Sequence, residues 1–191
     1  MPKQAAISLD DQLKQVLRAY RDSFSSKTYS EENDDCDLLM DVFGISPSLK
    51  RENRQYWGRE LGMCWQLLVT QVLSHTCRNY SPALRVGDDE PCDCCVGTDA
   101  IDTKYRIGSG DSGTLKKFKS YGKLLTQRGL RPVLLIVRED NLNAAMAACA
   151  TGGWTVLQGK ATFDYIQTLT EFDMAAWLES CKQHGEFRIN R

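Results

Sequence analysis

The chain has 191 residues, enough for one domain with a substantial core, and 42% hydrophobic and 26% charged residues are ordinary for a globular protein. A net charge of −1 gives no chain-wide sign of nucleic-acid binding. No apolar run approaches the ~18–20 residues of a membrane span, and the opening Met-Pro-Lys-Gln-Ala-Ala-Ile-Ser has no signal-peptide core. A cytoplasmic protein is therefore expected, with its eight cysteines (Cys36, Cys64, Cys77, Cys92, Cys94, Cys95, Cys149 and Cys181) reduced.

Residues 8–24 read as a helix, with Ser8 as cap, Asp10 and Asp11 in the first turn, and Leu9, Leu13, Val16, Leu17 and Tyr20 at helical spacing. Residues 25–35 are polar and read as a loop. The segment carrying Glu31, Glu32, Asp34, Asp35 and Asp37 is acidic. Residues 36–43 make a short helix ended by Gly44, and Ser46-Pro47-Ser48 opens the next. Residues 50–77 read as mostly helical, with an apolar stripe of Leu61, Trp65, Leu68 and Val72 and with Glu60 at its edge. Asn79 to Pro82 break it.

Three strands are expected next, at 83–86, 92–96 and 100–107, with a turn over 87–91. A glycine- and serine-rich loop (108–113) leads to a helix over 114–129, with Leu115, Phe118, Leu124 and Leu125 on its inner side. Residues 132–137, Pro-Val-Leu-Leu-Ile-Val, are a strand buried on both faces. A helix over 141–150, a last strand over 154–157 and a helical stretch over 161–183 follow. No repeat or linker divides the chain. The expectation is one α/β (α+β) domain over 1–191, with a mixed central sheet flanked by helices. Its core spans about 51–160, with helical parts at about 1–50 and 161–191.

The most informative stretch is 91–106, Pro-Cys-Asp-Cys-Cys-Val-Gly-Thr-Asp-Ala-Ile-Asp-Thr-Lys-Tyr-Arg. Side chains alternate in a strand, so Asp102 and Lys104 point one way and Thr103 the other. A hairpin through Gly97, Thr98 and Asp99 folds Asp93 back beside them. Asp88 and Asp89 compete with Asp93 for this place but need a longer hairpin, and Asp99 lies in the turn. Two carboxylates suit a hard divalent cation such as Mg²⁺. A lysine beside them can orient or deprotonate an attacking water, or neutralise a developing phosphate charge. This is the chemistry of phosphodiester hydrolysis.

Charge is unevenly placed. Residues 102–138 hold nine basic residues against two acidic ones, which fits a localised phosphate-facing surface as well as it fits a solvated helix face. Arg106, Ser109, Asp111, Ser112, Thr114, Lys116, Lys117 and Lys119 lie just beyond the Asp-x-Lys strand. Small residues there allow close backbone approach, so these are the candidate DNA contacts. His75, Cys77, Cys92, Cys94 and Cys95 form a rival set of soft ligands, but their spacing matches a Zn²⁺ site poorly. They read better as small buried hydrophobes.

The ordered context of Asp93, Asp102-Thr103-Lys104 and the following Ile107-Gly108-Ser109-Gly110-Asp111-Ser112-Gly113 loop resembles the PD-(D/E)xK nuclease superfamily, in particular type II restriction endonucleases of the ApaLI-like branch. The resemblance covers roughly residues 52–160 and departs from the name-giving motif in having Pro-Cys-Asp rather than Pro-Asp. It implies an αβββαβ core with the catalytic residues on its second and third strands. It further implies Mg²⁺, for which Mn²⁺ can substitute, held by Asp93, Asp102 and the Thr103 carbonyl, with Lys104 positioning the water. Glu60 would be the helix acid that joins the site. The implied protein is a bacterial homodimer that cuts both strands of a palindromic double-stranded DNA site, in a restriction system whose DNA methyltransferase shares that site. Two alternatives stay open: a structure-specific repair or junction-resolving nuclease of the same fold, and a non-enzymatic zinc-containing DNA-binding protein.

Overall fold

Residues 9–25 and 31–190 are described by the computed structural model; Ser8 and part of the polar loop lie outside them. Helix α1 (Leu9–Ser25) falls where the apolar spacing puts it. Helix α2 (Leu38–Phe43) is capped by Asp37, whose carboxylate accepts the N–H groups of Leu39 and Met40, and it ends at Gly44 with φ +66°. Helix α3 (Pro47–Glu52) begins on Ser46 and Pro47. The expected single helix over 50–77 is interrupted. Asn53 leaves helical geometry at φ −152°, and its side chain accepts the Tyr56 N–H to start α4 (Arg54–Thr76).

Three antiparallel strands follow: β1 (Tyr80–Val86), β2 (Asp89–Val96) and β3 (Asp99–Lys104). Both hairpins are tighter than expected, turning on Gly87-Asp88 and Gly97-Thr98, where each glycine takes a positive φ. β1 and β2 each gain three residues at an end. Pro82 is tolerated because β1 is an edge strand. The chain then forms α5 (Ser112–Gln127), β4 (Arg131–Ile136), α6 (Asn143–Gly152) and β5 (Thr155–Gln158). The expected helix over 161–183 is two, α7 (Lys160–Thr170) and α8 (Met174–His184). Glu171 breaks it at φ +60°, and Asp173 caps the second helix through the Ala176 N–H.

The sheet runs β1-β2-β3-β4-β5, with the last two pairings parallel, so it is mixed. The order α4-β1-β2-β3-α5-β4 is the expected αβββαβ. One face packs Ile101, Val133 and Leu135 against Leu61, Trp65, Val69 and Leu73 of α4 and Ile166 of α7. The other packs Ala100, Leu134 and Ile136 against Phe118 and Leu125 of α5 and Ala145, Ala148 and Cys149 of α6. The buried stripe of α4 is Trp57, Leu61, Trp65, Val69 and Leu73, a four-residue repeat rotated from the one the sequence suggests.

Helices α5 and α6 meet through Gly122 and Gly152. A Cβ on Gly122 would lie 2.3 Å from the Gly152 carbonyl oxygen and 2.7 Å from Trp154 Nε1. Backbone cannot yield there as a flexible side chain does. Gly122→Ala is expected to destabilise by about 2–3 kcal/mol. Gly58→Ala, in helix α4 with nothing within 4 Å of the new methyl, is expected to stabilise by about 0.5–1 kcal/mol. Urea midpoints measure both, and equal midpoints for the two variants would contradict the close packing.

Candidate active site

The site grows out of a fork in the sheet. Strands β2 and β3 pair from Val96↔Asp99 to Cys94↔Ile101 and then part. Where the ladder stops, the Asp93 side chain takes over: one carboxylate oxygen accepts the Thr103 N–H at 2.7 Å and the Thr103 hydroxyl at 2.6 Å. Its other oxygen accepts Gln66 Nε2 of α4 at 2.7 Å. Asp93 is thereby held from three sides and ties β2 to β3 and to the helix.

Alternation along β3 works as expected. Ile101 and Thr103 are buried towards α4, which leaves Asp102 and Lys104 on the α5/α6 face beside Cys149. Lys104 Nζ lies 2.7 Å from Asp102 Oδ2 and donates to the Thr103 carbonyl at 2.9 Å. The Asp102 side chain is 15% exposed and that of Lys104 38%. Burial first, and the neighbouring Asp93 carboxylate second, push the Asp102 carboxyl up to about 6, with Lys104 holding it back. Burial alone would lower the Lys104 ammonium, but Asp102 outweighs it and the net shift is upward. Asp102 thus favours the charged form of Lys104, which donates hydrogen bonds to Asp102 and to the Thr103 carbonyl.

Asp93, Asp102, Thr103 and Lys104 are thus brought together. Glu60 is not. It is exposed and pairs with Arg59 at 2.8 Å. It precedes Gln66 by six residues, about 9 Å along the helix and roughly 120° around it. Gln66, which sequence reasoning passed over, is the α4 side chain that reaches Asp93.

The expected DNA contacts divide. Arg106 is 10% exposed and bonds Asp140 through both its carboxylate, at 3.1 Å, and its carbonyl, at 3.0 Å; it is a structural cation, contrary to expectation. Asp111 caps α5, accepting the Thr114 N–H and hydroxyl at 2.9 and 2.7 Å, so these two order the helix start. Ser109 is half-buried and Ser112 exposed at that start. Lys116, Lys117, Lys119 and Lys123 are all exposed on α5.

The soft-ligand set does not assemble. Cys94 lies in the α4-side core and Cys92 and Cys95 in the other, while His75 is exposed. Burial pushes the Cys92 and Cys94 thiols up to about 12, which keeps them protonated and poor ligands. Among the described residues no group of three or more His, Cys, Asp or Glu side chains is arranged for a metal ion, and no helix is long and apolar enough to cross a membrane. No protein-family model, curated protein or solved structure matches the chain, so the functional reading rests on side-chain geometry.

The raised Asp102 carboxyl has a stability consequence. Between its ordinary 3.8 and about 6 the folded state holds a proton that the unfolded state has lost. Folding is favoured in acid by this group, and the advantage disappears as pH rises through about 6. Asp102→Asn removes the buried charge and is expected to raise stability at pH 7.5 by about 1–3 kcal/mol, the loss of the Lys104 partner included. The gain vanishes below pH 4. Urea midpoints at the two pH values measure it, and no gain at pH 7.5 would show that the charge carries no strain.

Proposed function

We propose that this protein is a Mg²⁺-dependent type II endodeoxyribonuclease that hydrolyses phosphodiester bonds in both strands of a short palindromic DNA site, within a restriction system. The supporting observation is the fork itself: two carboxylates, a backbone carbonyl and a lysine converge at the end of the second and third strands of an αβββαβ core. All the candidate metal donors are hard oxygens. Asp93, Asp102 and the Thr103 carbonyl would hold Mg²⁺, or Mn²⁺ in its place. When bound, the ion polarises a phosphate oxygen and lowers the pKa of a bound water.

The chain's own groups supply the rest. Thr103 and Gln66 fix the Asp93 carboxylate in one orientation. Asp102 remains largely ionised at pH 7.5, because that lies above its raised value of about 6. Lys104 carries its charge next to these acids, where it orients the attacking water or stabilises the negative charge that builds on phosphate. The α5 lysines provide a sequence-independent hold on the DNA backbone.

Lys104→Ala is expected to reduce cleavage of unmethylated phage DNA in Mg²⁺ by about 10²–10³-fold or more, and Asp102→Asn to abolish it, both with specific binding retained. Gln66→Leu is expected to fall between these and wild type, and Glu60→Ala to cut normally. Discrete Mg²⁺-dependent fragments from the wild-type protein are required, and a Lys104→Ala protein that cuts at full rate would overturn the assignment. The α5 face is read separately. Replacing Lys116, Lys117 and Lys119 by alanine is expected to reduce the slope of log affinity against log salt by about 0.9 for each phosphate that is no longer neutralised. A slope that does not change would remove these residues from the DNA interface.

A further inference from the structure

Tyr121 of α5 donates its hydroxyl to the Asp89 carboxylate at 2.5 Å. Asp89 opens β2 next to the Gly87-Asp88 turn and is exposed, and the Tyr121 ring is half-buried against the α5-side core. The bond therefore crosses at the surface from the tip of the β1–β2 hairpin to α5. Lys117, one turn earlier on α5, is exposed and holds its Nζ 5.9 Å from the centre of the Tyr121 ring. Positions 117 and 121 lie roughly 40° apart round the helix, whereas positions 116, 119 and 123 lie roughly 140–160° away from 121. Lys117 is thus the α5 lysine that shares a side with Tyr121.

Charge sets the place of this pair on the molecule. The hydrogen bond to Asp89 first, and burial second, push the Tyr121 phenol up to about 12; the Asp102 carboxylate adds to the push, so the phenol stands near the fork. It stays a donor at neutral pH. Asp89 offers that donor an anionic oxygen within reach of an ammonium, which is the chemistry a phosphodiester oxygen offers. At the hairpin tip Glu90 pairs with Arg85 at 3.0 Å, but Asp89 turns its charge to a neutral phenol. An exposed carboxylate can rotate into water, so an incoming phosphate displaces it without opening the core.

We propose that Tyr121 and Lys117 clamp the backbone of the DNA strand that enters the fork, and that Asp89 holds the place of a phosphate oxygen until DNA displaces it. The proposal rests on the nuclease reading and adds to it a contact whose two halves act in opposite directions: Tyr121 attracts the phosphate and Asp89 competes with it.

Binding of a labelled random-sequence DNA duplex to the full chain, followed by fluorescence anisotropy in EDTA, tests it without cleavage. Tyr121→Phe keeps the ring and loses the hydroxyl, and is expected to weaken binding about five- to tenfold. Its slope of log affinity against log salt is expected to match wild type, because a neutral donor releases no counterion; Lys117→Ala is expected to lower that slope by about 0.9. Asp89→Ala frees the hydroxyl and removes a like charge, and is expected to tighten binding about threefold or more. A bond that only braces the hairpin is lost equally in Tyr121→Phe and Asp89→Ala, so a structural role moves both variants the same way, in affinity as in urea midpoint. Weakening by both, no change with either, or an unaltered salt slope in Lys117→Ala would overturn the proposal. Cleavage of phage DNA by the wild type in Mg²⁺ separates it from the reading beneath it. A wild type that neither binds nor cuts DNA overturns both; one that does both, while Tyr121→Phe binds as tightly, overturns the clamp alone.

Discussion

The exchange of a backbone acceptor for a side-chain acceptor at the β2–β3 fork positions everything else at the candidate site. Past Cys94↔Ile101 the strands separate, and the Thr103 N–H would lose its partner. Asp93 supplies one and so fixes its own carboxylate next to Asp102. Had the ladder continued, Asp93 would have spent no hydrogen bonds on β3, and Gln66 alone would have oriented it. The fork thus satisfies a buried donor and aims an acid through the same hydrogen bond.

Immediately past Lys104 a second polar system anchors the same strand. Tyr105, 3% exposed, donates to Asp37 and accepts Lys50 Nζ at 2.6 Å; Lys50 pairs with Glu32, and Arg138 joins Asp37 to Asp140. Arg106 closes the network on Asp140, and its guanidinium lies where a Cβ on Gly108 would be, 2.2 Å from Nη1. This ties the acidic segment 31–37 and the cap of α2 to the end of β3. It also sorts the basic surplus of residues 102–138. Lys104, Arg106, Arg131 and Arg138 are matched to Asp102, Asp140, Asp99 and Asp37 with Asp140. The exposed bases concentrate on α5, so the basic surface is smaller and more local than the raw count suggests.

Local physics made much of this readable. Period two in β3 separates Asp102 and Lys104 from Thr103, and Gly97 and Gly87 mark turns that only a positive φ allows. What could not be read depends on contacts between distant residues. Arg106 looks like a DNA contact until Asp140, 34 residues later, is folded against it. Gln66 was missed because the phase of α4 was taken from Leu61, Trp65, Leu68 and Val72. The packed stripe includes Trp57 and Val69 instead, which turns position 66 towards the sheet edge and position 60 away. Only the polar residue beside Trp65, midway along an otherwise packed helix, hinted at it. The break between α7 and α8 did have a local signal, Asp173 three residues before Ala176, which the continuous helical pattern masked.

The electrostatics of the fork differ from those of the surrounding scaffold in a way that bears on function. Among the described residues no buried side-chain nitrogen or oxygen lacks a hydrogen-bond partner. Asp99 and Asp140 are held below the usual carboxylate range, Asp99 chiefly by hydrogen bonding to Arg131 and Asp140 by Arg138 and the Asn33 N–H against the opposing effect of burial. Asp102 is pushed the other way, although Lys104 lies 2.7 Å from it. A fold able to satisfy its other buried polar groups has left one acid beside another with insufficient compensation. Structural ion pairs lower carboxyl pKa values, as Asp99 and Asp140 do. A carboxylate kept under strain in company with a second acid, a backbone carbonyl and an ammonium is poorly suited to holding the sheet together, and such perturbed groups cluster at functional sites.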